Sequence, residues 1–487
     1  MLTEMKKHII NIAAFICMGI TLGTSCKFLE VEQIGKSDIE GYYTEVEAAH
    51  AAVYGTMHLA YSLFDAYLLL YSEIAADEIV LSTRQSTWDM YQNFSNTQDD
   101  ETGALGMIWK NGYQVINNCN QIIEHVPGLK EQFPDRSEEL DVYMAQSLFL
   151  RALVHHNLCL CYGQNYSYTP DASHLGIFIA DHTQSLSELP ARASVAAVYK
   201  SIVSDLEKSL ELYPKSYAFD KYFPSPLSSK ALLARVCLHM GDWSNAVKYS
   251  ADVMKEKGLV SHDNYFNMFY THDEIADDEC IFRFNGFKQG TACYKIFWSK
   301  EADARPSERV LGLLEDSQDI RSTLLTDEKY GNSCKKYDCS IELSSDETYK
   351  NHPMLRVSEM YLINAEAALR LGNAPQAVSD IEALRTRAYG KEMKLTDEEK
   401  ADMDITIAEE RIRELCFEGH RLWDISRRHE NITRTSDHTS TVSSLPYPDH
   451  RFVLPIPSTE LEANRNMQPN PGFSKGDTGE NQEIMED

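Results

Sequence analysis

Basic side chains are scarce in this chain. It carries 46 Lys and Arg against 74 Asp and Glu, a formal net charge of −28 over 487 residues. An acidic surface of that size repels phosphate backbones, which argues against nucleic acid as a partner. It also repels anionic headgroups, so a membrane link has to come from something other than a basic face. Long hydrophobic runs are missing after residue 25, where no stretch approaches the roughly 20 apolar residues of a bilayer span. The Walker phosphate loop, the dinucleotide glycine pattern and HExxH are absent as well. His155 and His156 are adjacent on a predicted helix and cannot face one metal. No segment singles out a pair of carboxylates for glycoside hydrolysis. The expectation is a protein that is not an enzyme and has no cofactor and no metal. Asp273, Glu274, Asp277, Asp278 and Glu279 do cluster oxygens of the kind calcium takes, but a solvated acidic loop is the favoured reading.

A disulfide framework is also lacking. Eleven cysteines include Cys17 and Cys26 near the start, which leaves an odd nine scattered through the chain. Several of these fall in apolar helical runs, where cysteine behaves as a small buried hydrophobe. Cys334 and Cys339 flank a short loop and are candidates for one bridge.

What the chain does have begins at its N-terminus. Lys6-Lys7 precede an apolar run from Ile9 to Leu22, and Gly23-Thr24-Ser25 lead to Cys26. Basic residues, a short apolar run and small residues before one cysteine spell a lipoprotein signal peptide over 1–25. The mature protein is then expected to start at Cys26, with lipid on its sulfur.

Helical periodicity dominates the rest. It predicts helices from about Ala48, from Leu105 to a stop at Pro127-Gly128, from Ser137 to Tyr162, and from Ser194 to just before Pro214. Two helix–turn–helix units follow, 228–257 around Gly241-Asp242-Trp243 and 356–389 around Gly372-Asn373, then a helix near Ile405 to Gly419. The two units share small inner residues and a glycine at the turn, the logic of tetratricopeptide hairpins. The fold class is therefore mostly α, a tetratricopeptide-like scaffold with long irregular insertions, in a single domain over 26–487. The insertions lie around 73–101, 163–190, 259–339 and 431–473. They are long, aromatic and polar, which suits loops that bind.

Sugar binding needs flat apolar platforms beside amides, carboxylates or guanidinium groups. Two insertions supply both. One offers Asp77, Arg84, Trp88, Tyr91 and Asn93; the other offers Tyr294 and Trp298. These seven are the candidate ligand-binding residues. Trp109, Trp243 and Trp423 sit in helical or turn contexts and read as core. The charged block from Glu410 to Arg427 is read as a structural ionic network between helices, because acidic and basic residues interleave on one face without a nucleophile–base pair.

Several motifs in order resemble the SusD/RagB family of outer-membrane nutrient-uptake lipoproteins. They are Cys26-Lys27-Phe28-Leu29-Glu30; Phe149-Leu150-Arg151-Ala152 through Tyr162-Gly163; Arg192-Ala193-Ser194-Val195 through Asp205-Leu206; Arg356 to Ala367; Glu410 to Arg427; and Leu454-Pro455-Ile456-Pro457 with Gln468-Pro469-Asn470-Pro471-Gly472. The last is similar to the family's ending, with Pro469 inserted. The resemblance implies a lipid-anchored, surface-exposed protein of the outer membrane. It would capture an oligosaccharide or polysaccharide and cap a TonB-dependent, SusC-like barrel as a lid. Two other readings stay open: the same role with peptide cargo, and a protein-binding scaffold without a small ligand.

Overall fold

The computed structural model describes residues 39–82, 88–100, 102–185, 187–270, 275, 277–286, 292–298, 303–325, 334–337 and 353–473. Cys26, Arg84, Asp273, Glu274 and Cys339 lie outside them, so the lipid site, one ligand candidate, two of the five residues of the acidic cluster and one end of the candidate bridge do too. Cys334 is a free, buried thiol. Contacts divide the chain after Ala48. The first unit contributes a helical turn, Ile39–Tyr42, and the first residues of the helix that starts at Val46. The account below concerns the second.

Its frame is helical. Helix α1 (Val46–Leu63) runs through a π turn, Phe64–Leu68, into Leu69–Ile74. Helices α2 (Ala104–Gln132), α3 (Ser137–Tyr162), α4 (Val195–Leu212), α5 (Pro226–Met240) and α6 (Trp243–Glu256) follow; α2 packs on the π turn and each of α3 to α6 on its predecessor. The short α7 (Ala292–Phe297) precedes α8 (Val357–Arg370), α9 (Ala374–Tyr389), α10 (Met403–Leu415) and α11 (Arg421–Arg427). Starts are capped as the sequence suggests. The Ser194 hydroxyl accepts from the Ala197 N–H, Asp242 from Asn245, and Asn373 from Gln376. One expectation fails: α2 does not stop at Pro127 but continues to Gln132. A proline inside a helix costs about 3 kcal/mol, and here Val126 and Leu129 are buried on either side of it. Two buried apolar side chains, at roughly 1.5–3 kcal/mol each, outweigh that cost.

The two like hairpins, α5–α6 and α8–α9, are distant in sequence but adjacent in space, with α6 packed on α8. Gly241 and Gly372 turn both with positive φ, +70° and +81°. The Asn364 amide donates to Ser250 Oγ across the joint at 3.0 Å. Leu362, Ala365, Ala377, Ile381, Leu384 and Ile407 form a shared core of α8, α9 and α10.

The motif residues act as fasteners. Arg151 on α3 forks onto Asp205 on α4 (2.8 and 2.6 Å) and reaches Asn120 Oδ1 on α2 (2.7 Å). Arg192 donates to the carbonyls of Gly176, Tyr162 and Gln468, and Asn470 to those of Tyr162 and Leu454. His155 and His156 lie inside the scaffold, where burial holds both rings neutral, with pKa values pushed down to about 3.

The block from Glu410 to Arg427 is a buried ion-pair network. Glu414 accepts from Arg356 (2.6 Å), Arg387 (2.6 Å) and Arg321 (3.0 Å); Glu410 from Arg321 (2.7 Å) and Arg385 (3.0 Å); Glu418 from Arg356 (2.8 Å) and Lys336 (2.6 Å). Asp424 holds Arg411 and Arg427, and Arg427 reaches Glu366. Burial would raise these carboxyls, but the guanidinium groups outweigh it. Glu410, Glu418 and Glu366 fall to about 2.

Strands are few and short. β1 (Ile79–Leu81) pairs antiparallel with β3 (Ala304–Pro306), β2 (Cys280–Arg283) with β4 (Pro353–Arg356), and β5 (Ile432–Thr433) with β6 (Ser444–Leu445).

Candidate functional site

The β1–β3 pair brings two of the predicted insertions together. Leu81 stands opposite Ala304, and the Ser82 N–H donates to the Asp303 carbonyl. Ser82 and Asp303 flank residues 83–87 and 299–302, so the two segments join the scaffold side by side. Below them Ser307 closes the joint, its N–H to Glu78 O at 2.8 Å and its hydroxyl to Asp77 O at 3.1 Å.

A third insertion locks onto the same edge. The loop between β5 and β6 places Thr439 so that its hydroxyl donates to Leu81 O (3.1 Å) and accepts from the Gln92 amide (3.2 Å). Asn93 Oδ1 accepts from the Thr441 N–H at 2.7 Å and from the Thr441 and Ser440 hydroxyls at 3.0 Å. Arg434 spreads over the carbonyls of Ala75 (2.9 Å), Ala76 (3.0 Å) and Val442 (2.9 Å), and over Gln92 O. Its guanidinium also lies over the Phe94 ring, 5.1 Å from the centroid. Burial lowers its pKa to about 10, and it stays charged. Arg305 pairs with Asp437 at 3.0 Å, tying β3 to the β5–β6 loop. Arg434 escaped the sequence reading because a lone arginine in a Ser/Thr-rich loop carries no pattern. The fourth insertion, 163–190, does not join this edge through these bonds. It folds onto α2 and α3, where Phe178 stacks on Tyr113 at 3.9 Å.

The candidate ligand residues divide into two layers. Four are sealed. Asp77 faces Arg421 (2.7 and 2.9 Å) and Arg309 (3.1 Å), not solvent. These cations outweigh burial and hold its carboxyl below the usual range. Trp88 is 9% exposed and leans on Tyr91, centroids 5.3 Å apart. Tyr91 is 2% exposed; its hydroxyl donates to Asp100 and accepts from the Leu105 N–H. Trp298 is 2% exposed at the end of α7, where its backbone N–H donates to Tyr294 O at 3.0 Å. The expectation of open aromatic platforms is thus corrected for Trp88, Tyr91 and Trp298. A ring packed against the protein on both faces cannot stack on a sugar. Asn93 and Tyr294 are half-buried and keep part of their surface in solvent.

Trp109 and Trp423 are buried, as core residues should be, and Trp243 is partly covered. The acidic cluster is spent locally. Asp277 accepts from the Ser261 N–H and Asn264, Asp278 pairs with Lys221, and Glu279 with Arg356 and Arg387. Among the described residues no group of three or more His, Cys, Asp or Glu is placed to hold a metal. No helix among them is long and apolar enough to cross a membrane.

Comparison with known proteins decides the family. The SusD family model matches residues 316–473, and a second model, "Starch-binding associating with outer membrane", matches residues 27–238. The chain belongs to the SusD family. It is 24% identical to the SusD-like protein P2 of Formosa agariphila, over 96% of this chain and all of that one. Among solved structures, a putative sugar binding protein from Bacteroides vulgatus is 25% identical, with a TM-score of 0.77 over 88% of this chain and 99% of that one. A SusD superfamily protein from Bacteroides thetaiotaomicron shares the fold at a TM-score of 0.78, with 24% identity over 88% of this chain and all of that one. In SusD terms, the helical hairpins are the scaffold and the joined insertions are what the scaffold carries.

Proposed function

We propose that this SusD-family chain captures oligosaccharides at the cell surface and passes them to a TonB-dependent outer-membrane barrel, over which it sits as a lid, held by lipid on Cys26. The capture face is the edge where residues 73–101, 259–339 and 431–473 meet. The observation that carries this reading is the adjacency of Ser82 and Asp303, which makes one face out of segments more than two hundred residues apart. The sugar-binding description of the Bacteroides vulgatus relative and the outer-membrane description of the matching family model support it. Arg84 and Tyr294 are the proposed ligand contacts, joined by Asn93 only through its amide nitrogen, since Thr441 and Ser440 occupy its oxygen. Asp77, Trp88, Tyr91 and Trp298 form the layer that holds them. No chemistry is assigned to the chain, because the acidic residues of the Glu410–Arg427 block are already paired with cations.

Affinity electrophoresis of the soluble form starting at Lys27, against plant, host and microbial glycans with a digested-protein panel beside them, tests the proposal. Retention by a glycan, weakened about tenfold (~1.4 kcal/mol) by Arg84→Ala or Tyr294→Ala in variants that melt like the parent, is the expected result. Peptide retention without glycan retention moves the cargo to peptides. Silence on both panels overturns autonomous capture.

A further inference from the structure

Helix α1 carries a large aromatic that the core does not use. Val53, Met57, Ala60 and Tyr61 are buried, whereas Tyr54 is 48% exposed. Tyr54 is the middle of a surface row. His50 meets it edge-on at 4.6 Å, Tyr143 lies 5.4 Å beyond His50, and Phe223, from the connection between α4 and α5, meets Tyr54 at 5.1 Å and 80°. Beside the row lies a concavity of about 380 Å³ lined by Tyr54, Met57, His58, Asp220, Tyr222, Phe223 and Asn285. That volume falls within the ordinary range of small-molecule sites, about 300–1,000 Å³.

We propose that this concavity is a second carbohydrate site, one that takes a short stretch of a neutral glycan. The inference rests on the glycan reading given above and adds to it a site built from other elements. The chemistry matches on both counts that sugars require. Tyr54 and Phe223 present ring surface to the C–H faces of a pyranose. The Asp220 carboxylate accepts from hydroxyls, and the Asn285 amide and Tyr222 hydroxyl both donate and accept. Among the described residues the lining contains neither Lys nor Arg, and nearby Lys221 is turned to Asp278 at 2.7 Å. Sulfated or uronic chains therefore find no permanent counter-charge among these residues, and the acidic Asp220 disfavours them.

Two weak sites on one chain raise retention of a long polymer far more than that of a short one, because the second contact is intramolecular. The test compares the wild-type soluble form with Tyr54→Ala/Phe223→Ala on a polysaccharide and on a short oligosaccharide of the same linkage. Tyr54 is about half exposed and Phe223 partly so, neither belonging to the buried core, so the variant is expected to fold, and its melting curve checks this. Polymer affinity should drop at least about tenfold, with the short ligand nearly unaffected. In hydroxyl-radical footprinting of the wild type, Tyr54 and Phe223 should be protected by polymer. Polymer binding with no protection at either ring and no loss in the variant overturns the second site while leaving the capture face standing. Failure of the wild type to bind any glycan overturns both.

Discussion

Arg421 grips Asp77 through two parallel hydrogen bonds, Nε to Oδ1 at 2.7 Å and Nη2 to Oδ2 at 2.9 Å, and both side chains are buried. A paired carboxylate in this position fastens α11 to the end of the helix that precedes β1, and its burial keeps it from any ligand hydroxyl. Asp77→Ala strands the Arg421 charge and should cost about 3–5 kcal/mol. Chemical denaturation measures that loss. Glycan affinity per folded molecule should stay within about twofold of the parent, a difference under roughly 0.5 kcal/mol.

Asp380 on α9 gives a pH effect of one sign. Burial raises its carboxyl to about 7, although the Gln376 amide donates to it at 2.9 Å. The folded state therefore prefers the protonated acid. Below about pH 4, where the unfolded carboxyl is also protonated, Asp380 carries no penalty. The penalty grows as pH rises to about 7 and is complete above it. Asp380→Asn should raise the melting temperature at pH 8 and leave it unchanged at pH 4, a difference on the order of 2–4 kcal/mol.

The ion-pair network gives the opposite sign. Glu410, Glu418 and Glu366 sit at about 2 in the folded chain, because cations override their burial. Their contribution is present above the unfolded carboxylate range, near 4.3, and is lost as pH falls toward 2. Thermal melts from pH 6 to pH 2 should show a steep loss in that window. Because these pairs are buried, added salt should change the loss little.

Gly419 precedes α11 with φ +83°, and a Cβ there would stand 2.6 Å from Leu69 Cδ2. The turn is held by Glu73, whose carboxylate accepts from the N–H groups of Phe417, Gly419 and His420. Gly419→Ala combines a left-handed backbone, at about 1–2 kcal/mol, with a clash against a buried leucine. It should lower stability by more than the backbone term alone, read as a reduced denaturation midpoint.

The scaffold was legible because its signals are local. Gly163 and Pro214 marked helix ends, Ser194 marked a start, and Gly241 and Gly372 gave away the turns of the two hairpins. Pro127 misled because a buried neighbourhood overrode a local rule. The adjacency of the two hairpins was hidden, since nothing in 228–257 names 356–389 as its neighbour. The loop aromatics were legible as a group and misread singly. Trp88 and Trp298 look exposed in a polar sequence, but their cover comes from residues elsewhere in the chain. Tyr54 carried no signal of its own: it sits in an apolar helical run, yet faces solvent.

On the proposed reading, the capture face hangs from a ladder of three residue pairs, Ile79–Pro306, Val80–Arg305 and Leu81–Ala304. Those rungs set backbone opposite backbone in antiparallel register, and the main-chain bonds of such a ladder depend little on side-chain identity, apart from Pro306, which has no N–H to give. The residues beyond them can therefore be exchanged without disturbing the stand that presents them. On that reading, exchanging 83–87 and 299–302 together is the economical way to retarget this chain to another polymer.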